Sequence, residues 1–232
     1  MTLQVLTTTG GRPEAFGMCV EYMRRQTYTE PVRWVIVDDG EPGIDAPTMP
    51  ATWKVEVMRT RPVWQPGQNT QARNLRAGLL AIDGEVPLVI VEDDDWYSPA
   101  WLQTCADALT HCELFGEAGA RYYHVRRRVA RNMGNVAHAS LCSTATIGRA
   151  TRMLFSLAGR HASGLDMRLW RECRVPAMLT VATHVVGIKG MPGRGGIGIG
   201  HRDDFAGDQD DDLSVLRSWI GDDAERYACF RS

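Results

Sequence analysis

The sequence predicts an α/β domain in which a mostly parallel sheet carries helices on both faces. Two observations predict it. Residues 32–37 and 86–91 are short runs that are apolar almost throughout, as strands covered on both sides are, and residues 3–8 are a short β-branched run. They alternate with segments whose apolar residues recur every three or four positions, the helical repeat. A chain of 232 residues can bury one sizeable core, so a single domain spanning 1–232 is expected.

The elements follow in order. Residues 3–8 are a β-branched run and make a first strand; 14–25 follow Pro13 and read as a helix. The almost continuous apolar run 32–37 is a second strand, and it ends in Asp38-Asp39-Gly40; 53–58 form a third. In 69–82, Ala72, Leu75, Leu79 and Ile82 place one apolar stripe on a helix. Residues 86–91 are the fourth strand and 99–115 the next helix, with Leu102, Cys105, Leu109 and Cys112 inward. The second half is less regular. Residues 121–129, 139–147 and 179–188 read as strands, and 150–160 and 166–173 as helices. Seven of the fourteen residues from Gly187 to Gly200 are glycine, and six Asp fall between Asp203 and Asp212, which reads as a solvated acidic segment.

Composition narrows the function classes. Hydrophobic content of 44%, charged content of 23% and a net charge of −2 describe a soluble globular protein, and net charge does not identify a partner. The six cysteines include no Cys-x-x-Cys pair and several lie in apolar stretches, so reduced core residues and a cytoplasmic location are expected and a zinc site is not. The start Met-Thr-Leu-Gln-Val-Leu opens a strand directly, and no stretch reaches the roughly 18 apolar residues of a membrane span.

The chemistry concentrates at strand ends. Ligands of parallel sheets sit beyond the carboxyl ends of the strands. Asp38-Asp39 and the run Glu92-Asp93-Asp94-Asp95 both lie there, so two acidic groups distant in sequence should face one crevice. Four consecutive carboxylates repel one another unless a cation sits among them, and hard oxygen ligands favour Mg²⁺ or Mn²⁺.

Five segments in order resemble the GT-A glycosyltransferases, especially the inverting family-two group: Leu6-Thr7-Thr8-Thr9-Gly10-Gly11-Arg12-Pro13; Val35-Ile36-Val37-Asp38-Asp39-Gly40; the stretch from Gly67 through Arg73-Asn74 to Gly78; Glu92-Asp93-Asp94-Asp95-Trp96-Tyr97-Ser98-Pro99; and Ser163-Gly164-Leu165-Asp166 running into Leu169-Trp170. The resemblance implies a GT-A, Rossmann-like sheet with a small antiparallel part on the acceptor side. It divides the domain into a nucleotide-sugar-binding half, 1–98, an acceptor-side half, 99–202, and the acidic segment 203–232. It implies Thr8, Arg12, Asp39, Arg73 and Asp93 at the donor, with Asp39 accepting from a base imide, which favours uridine. Relatives read Asp-x-Asp-Asp in the acidic motif, so Asp94, with Glu92 and Asp95, is the implied metal set; Glu92 replaces an Asp and Asp93 is an extra carboxylate. Asp166 aligns with the catalytic base, although an Asp at that point also suits a helix N-cap. Relatives commonly carry Glu-Asp where this chain has Leu165-Asp166.

The segment from Gly193 to Gly198 fits Gly-x-Gly-x-x-Gly but leads into His-Arg-Asp-Asp and not an apolar helix, so it is no dinucleotide fingerprint. A lid over the diphosphate is expected, with Arg194 on the phosphates and His201, placed like a late metal-binding His of the family, joining the metal. Trp64 and Trp96 are candidates to stack on rings, or ordinary core residues. Arg121, Arg126, Arg127, Arg128 and Arg131 are interleaved with Tyr122, Tyr123 and His124, which suits either phosphate backbones or a guarded strand edge. The expected activity is a metal-dependent inverting hexosyl- or pentosyltransferase using a UDP-sugar, acting on hydroxymethylated pyrimidine in viral DNA or on a soluble glycan or small molecule. A nucleotidyltransferase and a silent nucleotide-sugar-binding module are the alternatives.

Overall fold

The computed structural model describes residues 1–196, 198–202 and 204–231. In chain order the elements are β1 (Leu3–Thr9), α1 (Pro13–Arg24), β2 (Val32–Asp38), β3 (Trp53–Arg59), α2 (Gln71–Leu79), β4 (Leu88–Ile90), β5 (Trp96–Tyr97), α3 (Trp101–Ala108), β6 (Leu114–Ala118), β7 (Arg121–His124), β8 (Val129–Asn132), β9 (Thr144–Thr146), α4 (Arg149–Arg160), α5 (Leu165–Glu172), β10 (Ala177–Val181), β11 (Val185–Lys189), β12 (Asp208–Gln209) and α6 (Ser214–Ile220), with short 3-10 turns at Leu141–Ser143, Ile199–His201 and Gly221–Phe230.

The main sheet has seven strands in the order β10-β6-β9-β4-β1-β2-β3. β1 runs parallel to both β2 and β4, and β3 runs parallel to β2, whereas β9 is antiparallel to β4 and β6. Period-two alternation sorts the side chains. Leu3, Val5, Trp34, Ile36 and Val89 pack under α1 and α3, while Leu6, Val35, Val37, Leu88 and Ile90 pack under α2, α4 and α5. Both faces are therefore apolar, and each fully buried large side chain contributes about 1.5–3 kcal/mol. The buried Trp34 indole donates to Thr7 Oγ1 at 2.9 Å, so its N–H is satisfied inside that core. Helix α2 crosses β1 closely: a Cβ on Gly78 would stand 2.3 Å from Leu6 Cδ1.

A second sheet has the order β12-β8-β7-β11-β5; three of its four pairings are antiparallel and β7–β11 is parallel. This is the expected architecture, with local corrections. Residues 99–115 are not one helix: α3 stops at Ala108, and Leu114 and Phe115 enter β6, where they face opposite cores. The expected strand 121–129 is a hairpin whose turn puts Arg128 at φ 56°. The expected strand 179–188 divides between the two sheets, because buried Glu117 collects the N–H groups of His184 and Val185 and the Thr183 hydroxyl. Only Thr144–Thr146 of 139–147 is strand, after the 3-10 turn.

The acidic segment is not a free tail. Asp210 is buried and accepts from the Val215 and Leu216 N–H groups at 2.8 and 3.0 Å, fixing the start of α6. Tyr227 is fully buried with its hydroxyl 2.8 Å from that of Tyr22. No helix among the described residues is long and apolar enough to cross a membrane.

Candidate active site

The carboxyl ends of β1, β2 and β4 bring Arg12, Asp39 and residues 92–95 to one edge of the sheet, as their parallel register requires. The four carboxylates are held differently. Asp93 accepts from Thr9 Oγ1 at 2.7 Å and from Arg12 Nη2. Asp94 accepts from Arg12 Nη1 at 2.9 Å, with Lys189 Nζ at 3.9 Å and His201 Nε2 at 3.8 Å from its Oδ2. Asp95 Oδ1 accepts both the Lys189 ammonium and the Ile188 N–H at 2.8 Å, and its Oδ2 is buried without a partner. Glu92 accepts from Gln71 Nε2 at 2.6 Å.

Burial of four carboxylates against two cations leaves negative charge in excess, and the titrations follow. Burial, reinforced by Asp95, pushes Glu92 up to about 8. Burial lifts Asp93 to about 6 against the pull of Arg12, and burial raises Asp95 against Lys189. Asp94 goes the other way, because Lys189 and Arg12 together outweigh its burial. Burial, then the neighbouring Lys189, holds His201 down at about 4, so its imidazole is neutral at physiological pH.

Asp93, expected at the donor, is turned inward onto Thr9 and Arg12, with a side chain 0% exposed. Arg73, also expected there, is exposed and donates to the Arg61 carbonyl at 2.9 Å; Asn74 of the same helix faces the cleft in its stead. Thr8, Arg12, Asp39 and Arg194 do share one small cavity, of about 70 Å³, with Trp64 and Asn74. Arg194, expected on phosphates, donates from Nη1 to Asp39 Oδ1 at 2.6 Å and from Nη2 to the Asp39 carbonyl at 2.9 Å.

Asp166 lines a second cavity of about 500 Å³ with Glu92, Lys189, His201, Tyr122 and His138. Asn69, Gln71 and Gly196 line both cavities, so the two adjoin. Asp166 is not the N-cap of α5. That position belongs to Gly164, at φ 66°, and Asp166 stands half-buried in the first turn, where the helix dipole favours an anion. Lys189 was not anticipated as a site residue. Its signal is a charge closing the apolar strand Val185–Lys189.

The five arginines do not make one stripe. Arg128 is buried and donates to the Ala228 carbonyl at 2.7 Å, Arg121 lies over the Trp219 ring, and Arg131 over Phe205. Arg127 donates to the Phe205 carbonyl at 3.2 Å, leaving Arg126 and Arg131 as the exposed members.

Among the described residues, Glu92, Asp95 and Cys142 place potential ligand atoms within 4.8 Å of one another. Burial raises the Cys142 thiol well above its ordinary value, and Asp95 already serves Lys189, so this trio offers little to a hard cation. Asp94 and His201, with a neutral imidazole and 3.8 Å between their ligand atoms, fit better as two points of a shell completed by oxygens of a ligand.

No protein-family model matches the chain, and no curated protein matches it. Solved structures do. The S. aureus TarS structure is 11% identical over 81% of this chain and 37% of its own, with a TM-score of 0.54. TarS 1-349 in complex with UDP is 12% identical over 81% and 60%, with a TM-score of 0.55, and its complex with UDP-GlcNAc is 12% identical over 82% and 59%, with a TM-score of 0.53. The chain thus spans between about a third and three fifths of the lengths of these structures. At this identity the likeness establishes the fold alone, a mostly parallel sheet flanked by helices with a smaller second sheet beside it.

Proposed function

We propose that the chain transfers a sugar from a uridine nucleotide-sugar to an acceptor hydroxyl, with inversion at the anomeric carbon. The observation that carries this reading is the meeting of two cavities at the strand ends, one holding Asp39 and Arg12 and the other Asp166. TarS was crystallised with UDP and with UDP-GlcNAc, which supports the donor class.

In this reading Asp39 accepts the base imide proton and Arg12, at the start of α1, faces the diphosphate. Asp166 takes the proton of the acceptor hydroxyl as that oxygen attacks the anomeric carbon from the side opposite the diphosphate. Asp166 opens into the larger cavity, where an acceptor has room. The residues present fit Mn²⁺ or Mg²⁺: the cluster has four carboxylates for the two cations Arg12 and Lys189, an excess a divalent cation would offset, and Asp94 with His201 would hold it. Such an ion, when bound, supplies positive charge where the departing diphosphate develops negative charge.

The acceptor is a hydroxyl-bearing group small enough for a cavity of about 500 Å³: a soluble glycan end, a small molecule, or a single hydroxymethylated pyrimidine flipped from DNA. The dispersal of the arginines favours the first two. Transfer of radiolabelled sugar with and without a chelator tests the reading: free sugar with UDP, lost on chelation, supports it. Release of pyrophosphate would mark a nucleotidyltransferase, and neither product a silent binding module. Incubation with hydroxymethylated and plain duplex decides the DNA acceptor; its binding should also weaken steeply with salt if phosphates are contacted.

A further inference from the structure

We infer that Arg194 is an internal stand-in for the nucleobase: its guanidinium occupies the base slot between Asp39 and Trp64, and donor binding proceeds by exchange of that guanidinium for the base. The inference rests on the proposal that Asp39 receives the base. Arg194 donates to Asp39 through both its terminal nitrogens, to Oδ1 at 2.6 Å and to the backbone carbonyl at 2.9 Å. Its planar head also lies 5.0 Å from the Trp64 ring centroid. A planar group that stacks on an indole and presents N–H to a carboxylate meets the same chemistry as a pyrimidine base with an imide proton.

Three further features fit an exchange. With Arg194 in place the cavity is about 70 Å³, well under the roughly 300 Å³ at the low end of ligand pockets, so the arginine takes up room that a nucleoside would use. Asp39 is 1% exposed and its Oδ2 is buried without a partner, an acceptor that the arginine leaves unused. The arginine follows Gly193, at φ 99°, whose missing Cβ lets the loop lie against the first strand's end: a Cβ there would stand 2.4 Å from the Gly11 carbonyl.

Displaced from Asp39, the guanidinium remains tethered at the edge of a cavity that Arg12 also lines, within a short reach of a diphosphate attached to the incoming nucleoside. A bidentate cation suits that anion. Apparent affinity for the base is then the intrinsic affinity scaled by the fraction of molecules in which the slot is open. Uracil enters because it offers an imide N–H. Cytosine offers a lone pair at that atom and is repelled by the carboxylate.

Calorimetric titration of the full chain with uridine, cytidine and UDP, without added metal, tests this. Arg194→Ala should bind uridine roughly tenfold tighter than the natural chain, the gain expected when a latch closed about nine times in ten is removed. The same variant should gain less for UDP, so the preference for UDP over uridine shrinks. Arg194→Lys, whose point charge lacks the planar fork, should keep the uridine gain and restore the UDP preference. Adding Trp64→Ala to Arg194→Ala should weaken uridine again, and cytidine should bind none of them. Unchanged or weaker uridine binding by Arg194→Ala, alongside loss of uridine binding in Asp39→Ala, would overturn the exchange and leave the base site standing. Uridine bound equally by Asp39→Ala and the natural chain would overturn both.

Discussion

Arg12 and Lys189 divide the acidic turn into two working parts. Asp93 pairs with Arg12 and Asp95 with Lys189, whereas Asp94, 2.9 Å from Arg12 and 3.9 Å from Lys189, keeps its charge beside His201. Substitutions should therefore separate. Asp93→Asn removes one side of a buried ion pair and should cost about 3 kcal/mol in urea unfolding. Asp94→Asn also takes an acceptor from Arg12, at 2.9 Å, and so should lower the unfolding midpoint as well, but it alone should abolish the strengthening of UDP binding by Mn²⁺. Asp166 belongs to a third class, open to the larger cavity. Asp166→Asn should lower turnover by about 10²–10⁴ with UDP affinity kept, whereas a fall in melting temperature alone would make it structural. Much of this site was legible in the chain, since the carboxylate run, Asp39 and Asp166 announce themselves at strand and helix ends. The identity of the cation among the carboxylates was not. Lys189 lies on β11, ninety-four positions from Asp95, and only tertiary packing brings it there.

Elements were readable where burial imposed a period. β2 and β4 are covered on both faces, so their sequences are almost continuously apolar, β1 buries Gln4 and threonines among its apolar residues, and α2 shows its stripe because only one face is buried. The pattern failed where a buried polar group or a backbone angle interrupted a run. Glu117 draws in the N–H groups that would otherwise have continued β10 into β11, and Arg128 turns the chain with a left-handed conformation that an arginine does not advertise. Gly164 is the converse case, a glycine whose left-handed angle starts α5 and so places Asp166. Its Cβ position has only Met167 Cε nearby, at 3.4 Å, so space is not the constraint; conformation is. Gly164→Ala should cost about 1–2 kcal/mol of stability and lower turnover, because Asp166 would shift with its helix turn. Gly159→Ala, inside α4 and with an ordinary backbone angle, is the control and should leave turnover in place.

At the scale of the whole molecule, the C-terminal segment is fastened back onto the first half of the chain. Asp223 accepts both terminal nitrogens of Arg25, at 2.9 and 2.6 Å, and the Trp96 indole N–H at 2.8 Å, so one carboxylate joins the end of α1, the strand after the acidic turn and the last 3-10 turn. The hydrogen-bonded Tyr22 and Tyr227 hydroxyls lie beside it under the same lid. Burial raises the Asp223 carboxyl, but the Arg25 and Trp96 hydrogen bonds outweigh it and the net displacement is downward. A carboxyl held lower in the folded chain than in the unfolded one gives its full stabilisation above the unfolded value, near 3.8, and loses it as pH falls through the folded value. Asp223→Asn should therefore lower the melting temperature at pH 7, with a loss of about 1–2 kcal/mol after allowance for solvent screening of the partly exposed Arg25. The difference from the natural chain should narrow below about pH 4, as the carboxyl it replaces becomes protonated in both states. Melting curves between pH 3 and 8 read both effects. A constant difference across that range would mean that the lid is held by packing of Tyr227 and its neighbours, with the charge of Asp223 adding nothing.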